Sequence, residues 1–334
     1  MRFHAPRRLG IIGAGVAGEL MSHAVLRSNR FVLTGLADPD PDVRNRVSAE
    51  WGCPAFIDAT ELVTSGTVDV VYIAAPTAHH LGAVSAAAAA GVHIICEKPL
   101  ATTAADAREA VDCARRAGVS LLVGPTLSYD TRYRVLQQIV TARRLGDLLS
   151  VQATSFTDWH RRRTRTAHDL DAAVGNGLLL RQGAHQIDIV RLICGGDVRA
   201  VSGALHGGVG GAEQGFSAQL SFANGVQASA YYDGSGAVPE ADELFATFTG
   251  GGVRVHPGGL HLYSDGQLTD LPVDPATSVW DQALVEMDQT LDGRIPIHDG
   301  EWGLGTLATC LAIYEAAATH SIVFTHQSLY QEKS

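Results

Sequence analysis

Cysteine is scarce in this chain. Its 334 residues include five, at Cys53, Cys96, Cys113, Cys194 and Cys310. The number is odd and no two are closely spaced, which argues against a disulfide framework and a cysteine-built zinc site. Free thiols fit a reducing compartment. Positive charge is also short, with 25 Lys and Arg against 35 Asp and Glu and a formal net charge of −10. Nucleic-acid binding runs on phosphate neutralisation, so a nucleic-acid partner is not expected. Long apolar runs are missing as well. The run Ala86–Ala90 is broken by Gly91, and no stretch has the length of a membrane span. The basic-then-apolar N-terminus superficially suggests a signal peptide, but its apolar run carries a glycine turn and lacks a separate cleavage region. These absences point to a soluble cytoplasmic protein with no membrane partner. His206, His256, His261 and His298 show no metal-like spacing with carboxylates, so no metal is expected.

What is present is apolar residue. Hydrophobic residues make up 46% of the chain and charged residues only 18%, enough for a sizeable core. The length suggests about two domains. The first part alternates strand-like runs with helical patterns. Leu9–Ile12, Phe31–Ala37, Val68–Ala74, His93–Cys96 and Leu121–Val123 read as strands, and Val16–Ser28, Pro41–Trp51, Ala78–Ala90 and Ala104–Ala117 as helices. Such alternation implies a parallel sheet covered on both faces. This first domain is drawn over residues 1–124.

Residues 125–334 change character. Helices are expected at Thr131–Arg144, Leu178–Ile193, Val279–Leu291 and Glu301–Thr319. Strands are expected at Leu149–Phe156, Ala200–Leu205, Ala218–Phe222, Val226–Tyr232, Leu244–Thr249 and Leu260–Tyr263. Asn224-Gly225 and Asp265-Gly266 are hairpin-type turn pairs. The fold class is therefore α/β, a Rossmann-type parallel sheet followed by an α/β domain with a large open antiparallel sheet. Such a sheet leaves one face for a partner, and a homodimer or homotetramer through it is expected.

The most informative stretch is Gly13-x-Gly15-x-x-Gly18, at the end of an apolar run and the start of a helical one. Gly13 allows the tight turn, Gly15 lets a pyrophosphate approach the backbone, and Gly18 lets helix and strand pack closely. Val16 and Ala17 complete the turn, where phosphates meet free N–H groups at a helix N-terminus. Asp38 follows 20 residues after Gly18, where a carboxylate accepts from the adenosine ribose hydroxyls. It would repel a 2′-phosphate, which favours NAD over NADP. Flavin binding is the rival within this reading, and a plain glycine turn is the bland one.

Two further constellations carry candidate chemistry. Glu97-Lys98-Pro99 follows the His93–Cys96 run, where strand ends line the ligand crevice. A lysine there can hydrogen-bond a substrate hydroxyl and take part in proton transfer, although the tripeptide alone reads as a solvated surface lysine. The second runs from Gly175 to Asp188. If helical, Arg181, His185 and Asp188 share one face. His185 can act as a base, and taken singly it reads as a structural histidine.

Together these features resemble the Gfo/Idh/MocA family, named for glucose–fructose oxidoreductase and inositol dehydrogenase. The glycine turn, Asp38, Ala75-Pro76-Thr77-Ala78-His79-His80, Glu97-Lys98-Pro99 and the His185 helix occur in that family's order, and the resemblance covers nearly the whole chain. It implies that Lys98 and His185 are the acid–base pair. It also implies that Ala75, Pro76, Thr77, His80, Glu97 and Lys98 lie on the nicotinamide side of the cofactor, and that the Lys98-Pro99 bond is cis. Thr77 stands where the family usually has Asn. Arg181 is the larger departure, standing where many members carry Asp four residues before the histidine. Gly124–Asp130 and Arg181–Arg191 resemble one subgroup, the phthalate dihydrodiol dehydrogenases, and Thr157–Arg163 is similar in placement. That suggests a cyclic, carboxylated diol, with Trp159, Arg161, Arg163, Arg181 and Gln182 as substrate contacts. Arginine runs such as Arg161–Arg163 are otherwise solvated faces.

The expectation is an NAD-dependent dehydrogenase acting on a secondary alcohol of a small sugar, cyclitol or cyclic diol, with catalysis by Lys98, His185 and Arg181. The alternatives are an NAD-binding sensor without turnover and a ketone or imine reductase.

Overall fold

The computed structural model describes residues 5–159, 177–207, 212–271, 273 and 278–325. The chain forms two compact units, one of residues 1–126 with 277–304, the other of 127–276 with 305–334. From the sequence, one cut falls at 124/125 and residues 277–304 belong to the second half. They pack with the first because their apolar face is buried there, as shown below.

The first unit holds a six-stranded sheet of order β3-β2-β1-β4-β5-β6, with every pairing parallel. Its strands are β1 (Arg7–Ile12), β2 (Phe31–Ala37), β3 (Ala55–Phe56), β4 (Val70–Ile73), β5 (His93–Cys96) and β6 (Leu121–Val123). Helices α1 (Val16–Arg27), α2 (Pro41–Trp51), α3 (Ala59–Thr64), α4 (His80–Ala89) and α5 (Ala104–Ala117) alternate with them. Local chemistry sets the helix ends. Asp40 caps α2 through the Asp42 and Val43 amides, Pro41 sits at its first position, and Gly52 stops it in the left-handed conformation. Helix α8 (Val279–Leu291) belongs here too. Leu284 and Met287 are fully buried with Met21, Val25 and Phe31. Asp288 pairs with Arg7 and Arg30, and Asp281 with Arg27. The strand order reverses between β1 and β4, so the crevice at their carboxyl ends is the ligand position in folds of this kind.

The second unit holds a nine-stranded sheet of order β14-β13-β12-β11-β7-β10-β9-β8-β15. Its strands are β7 (Leu148–Phe156), β8 (Val198–His206), β9 (Gly215–Phe222), β10 (Gln227–Asp233), β11 (Ala241–Phe248), β12 (Gly251–His256), β13 (Gly259–Ser264), β14 (Gln267–Leu271) and β15 (Val323–Phe324). The sheet is mixed rather than purely antiparallel, because β7 and β10 pair in parallel at its centre. Alternate residues such as Val151, Ala153, Ala228, Ala230, Leu244 and Ala246 are buried. Helix α7 (Ala184–Cys194) packs on β7 and β10, and α6 (Thr131–Thr141) packs on α7. The long helix α9 (Gly300–Thr319) contributes Ile313 against Gly203 of β8.

Candidate active site

The glycine turn separates its own packing needs from a ligand's. Gly13 has φ +96°, and a Cβ there would lie 2.8 Å from Ala74 and Ala75 backbone. A Cβ on Gly18 would lie 2.2 Å from the Gly13 carbonyl oxygen. The chain itself demands those two glycines. Gly15 differs. Its φ of −77° suits any residue, and a Cβ would meet no atom within 4 Å. No neighbour in the protein requires glycine there, so the small residue fits a group approaching from outside. Gly15 caps α1 without a side-chain bond, and Val16 is 59% exposed beside it. Ala17 follows in the first turn. The backbone thus fits a pyrophosphate at a helix N-terminus.

Asp38 is tied to this turn. Its Oδ2 accepts from the Ala14 amide at 2.9 Å and its Oδ1 from the Asp40 amide at 3.0 Å. Each carboxylate oxygen keeps lone-pair capacity for a further donor. Arg44 sits behind it, with Nη1 donating to the carbonyls of Asp38 and Pro39 at 2.8 and 2.9 Å.

Ala75, Pro76 and Thr77 follow β4, and Thr77–His79 forms a short 3-10 turn before α4. His80 begins α4 and is 1% exposed. Its Nε2 lies 2.8 Å from the Ala75 carbonyl oxygen and its Nδ1 3.0 Å from that of Pro99. The resemblance implies that His80 lies on the nicotinamide side of the cofactor, and its enclosed ring stands between the carbonyls of two loops. Burial lowers its pKa against the pull of those carbonyls and Glu97. Glu97 is held in turn. It accepts from the Tyr72 hydroxyl at 2.6 Å and, through Oε2, from the Lys98 amide at 3.0 Å. The Lys98-Pro99 bond is cis, as the resemblance implied. Lys98 is half-buried at this loop. It and Lys333 are the only two lysines among the chain's 25 basic Lys and Arg residues.

In the second unit, α7 is preceded by a π-helical turn, Leu179–Gly183, where the sequence pattern had one continuous α-helix. Gly183 allows it, since a Cβ there would lie 2.3 Å from the Phe216 ring. Glu213, buried, accepts from the Leu179 amide at 2.9 Å and the Tyr314 hydroxyl at 2.5 Å. Arg181 lies in this turn with its guanidinium carbon 5.3 Å from the centre of the Trp159 ring. Two of the expected substrate residues are thus neighbours. Gln182 and His185 are partly exposed next to them in the chain. Asp188, grouped with them from the helical pattern, is a core residue instead. It is 2% exposed and accepts from the hydroxyls of Ser128 and Thr306. Arg161 and Arg163 lie outside the described residues.

Tyr72 and Glu213 were not singled out from the sequence. Both look like ordinary strand or loop residues in one dimension, and only their buried partners identify them. The lysine scarcity was a signal available in the sequence.

A parallel 3-2-1-4-5-6 sheet with a glycine turn at its switch point defines a dinucleotide-binding fold. Residues 7–125 match the model of an oxidoreductase family with an NAD-binding Rossmann fold, and residues 133–254 match the GFO/IDH/MocA C-terminal domain. The chain belongs to this Gfo/Idh/MocA oxidoreductase family and carries its NAD-binding domain. It is 33% identical to a 1-carboxy-3-chloro-3,4-dihydroxycyclohexa-1,5-diene dehydrogenase of Comamonas testosteroni, over 68% of this chain and 58% of that protein. A match at 31% identity to the rhizopine catabolism protein MocA of Rhizobium meliloti spans 56% of this chain and 57% of that protein. The chain therefore spans less than two thirds of the length of these relatives. An aldose-aldose oxidoreductase of Caulobacter crescentus shares the fold, with a TM-score of 0.85 at 22% identity over 96% of this chain and 99% of that one. Among the described residues, no group of three or more His, Cys, Asp or Glu could hold a metal, and no helix is long and apolar enough to cross a membrane.

Proposed function

We propose that this protein is an NAD-dependent dehydrogenase for a secondary alcohol on a sugar, cyclitol or cyclic diol, with a carboxylated ring as the favoured class. The observation that carries the substrate class is Arg181 over the Trp159 ring. A guanidinium presents a planar fork that grips a carboxylate in bidentate fashion, and an indole beside it suits a flat ring. The named substrate of the Comamonas relative has both a carboxylate and a vicinal diol.

Bound NAD supplies the acceptor for a hydride. Lys98 hydrogen-bonds the reacting hydroxyl and polarises it. His185 accepts the hydroxyl proton as the carbonyl forms, and Arg181 holds the carboxylate. An amine can release and regain a proton in the working pH range, whereas arginine cannot. That difference gives a reason for a lysine at position 98 in a chain whose 25 Lys and Arg residues include only one other lysine. The same positioning serves ketone reduction in reverse. Asp38 selects NAD. The five unpaired thiols suit a reducing cytoplasm, and the sheet face of the second unit serves a homodimer or homotetramer.

The test is NADH formation, followed by fluorescence, with a carboxylated dihydrodiol, myo-inositol and an aldose. Lys98→Ala should lower turnover by at least about a hundredfold while NAD binding survives. NAD binding without net NADH from any of the three would favour the sensor reading.

A further inference from the structure

Lys98 is useful only if its amine is held still, and the loop that carries it has almost no regular structure of its own. Its neighbours supply the hold. On the N-terminal side, Glu97 turns back to accept the Lys98 amide through Oε2, and its Oε1 accepts the Tyr72 hydroxyl at 2.6 Å. Tyr72 is fully buried in β4, so this hydroxyl is fixed by the sheet. On the C-terminal side, the His80 ring stands between the Pro99 and Ala75 carbonyl oxygens. That ring is enclosed, and the first residue of α4 therefore joins the loop after β5 to the loop after β4. A neutral ring donates to one of these carbonyls at a time, and a protonated ring donates to both. Neither Tyr72 nor His80 is exposed enough to touch a ligand.

We infer that Tyr72 and His80 are positioning residues that hold the Glu97-Lys98-Pro99 loop from its two ends and so fix the Lys98 amine. The inference rests on the reading of Lys98 as the group that handles the substrate hydroxyl. It assigns Glu97 and His80, which the family order would place on the cofactor, to holding the protein's own loops. A preorganised reacting group depends on such support, and small displacements cost much rate.

The lysine count gives a direct readout. In a Lys333→Arg chain, 13C-methylation labels only the N-terminal amine and Lys98. With NAD present, the Lys98 methyl signal should sharpen in Tyr72→Phe and in His80→Leu as the side chain gains mobility. Turnover should fall by about tenfold to a hundredfold while the Michaelis constant for NAD moves less than about twofold. His80→Gln keeps one donor and should recover part of the loss. In a Lys98→Ala background neither change should cost more, because residues acting through one group are non-additive. An unchanged methyl signal, a loss carried by NAD binding, or full additivity with Lys98→Ala would each overturn the inference. Tyr72→Phe keeps the test open if His80→Leu does not fold. Full turnover in Lys98→Ala would instead overturn the proposed role of Lys98, and the methyl signal would still judge the hold on the loop.

Discussion

Asp38 shows how one carboxylate can serve both the fold and a ligand. It closes the glycine turn through the Ala14 amide, and the proposed site sets the adenosine ribose against it. We expect NAD to bind more tightly than NADP, because a 2′-phosphate would meet that negative charge. Equal affinities in a fluorescence titration would remove Asp38 from the ribose and point to Arg44, which lies against the Asp38 carbonyl. Arg181 is the larger of the two departures from the pattern of the family the sequence resembles, Thr77 being the other. Arg181→Ala should raise the Michaelis constant for a carboxylated diol by about tenfold to a hundredfold, the usual worth of a charge-assisted hydrogen bond, and leave a neutral cyclitol nearly unaffected. Equal losses in turnover on both substrates would make Arg181 a support for His185. Improved activity on the acid in Arg181→Asp would exclude the carboxylate role.

The helix before His185 illustrates the limit of periodicity. Apolar spacing marked Leu178–Ile193 as helical, and the chain there is helical, but the first turn is a π turn. Two contacts from distant sequence set that turn, Phe216 against Gly183 and Glu213 on the Leu179 amide. No local pattern encodes them. Gly183→Ala should destabilise the protein by about 1–3 kcal/mol, since Phe216 is fully buried and cannot yield cheaply. It should also weaken an anionic substrate more than NAD, because Arg181 rides on the same turn. A melt and two Michaelis constants check both statements. Strands β12 and β14 were not foreseen for a related reason. Gly251-Gly252 begins the first and leaves only Val253 and Val255 to alternate, too short a run to mark a strand, and the second is exposed along most of its length and has no apolar alternation. The strands β1, β2, β5 and β6 and the helices α2, α5 and α8 were legible because each couples an apolar period to a clear stop.

At the scale of the molecule, residues 277–304 tie the chain's late sequence to its first unit. Inside that unit His298 is fully buried, and its Nδ1 is 2.7 Å from Glu286. Burial pushes the Glu286 carboxyl up, but the His298 side chain and the His298 and Ile297 amides outweigh it and hold the pKa down to about 2. A depressed carboxyl adds stability that is present above its unfolded value and lost as pH falls through the folded one. The stability gap between the wild type and Glu286→Gln should therefore be full near neutrality and shrink from about pH 4.5 towards pH 2. A pH-independent gap in thermal melts would show that the pair contributes packing only. On the sheet of the second unit, Leu149, Phe245 and Tyr263 are each more than 40% exposed, and we expect them to be covered in a homo-oligomer. A monomer in light scattering at micromolar concentration would exclude that. The sequence by itself determined the parallel sheet, the glycine turn with Asp38, and the candidate lysine and histidine, because these depend on short-range spacing and on residue types with few substitutes. Only the tertiary structure decided that His80 and Glu97 face their own loops, that Arg181 meets Trp159, that Asp188 is core, and that residues 277–304 return to the first unit. Those outcomes depend on which distant side chain fills a space or satisfies a buried donor, and that choice is made when the whole chain packs.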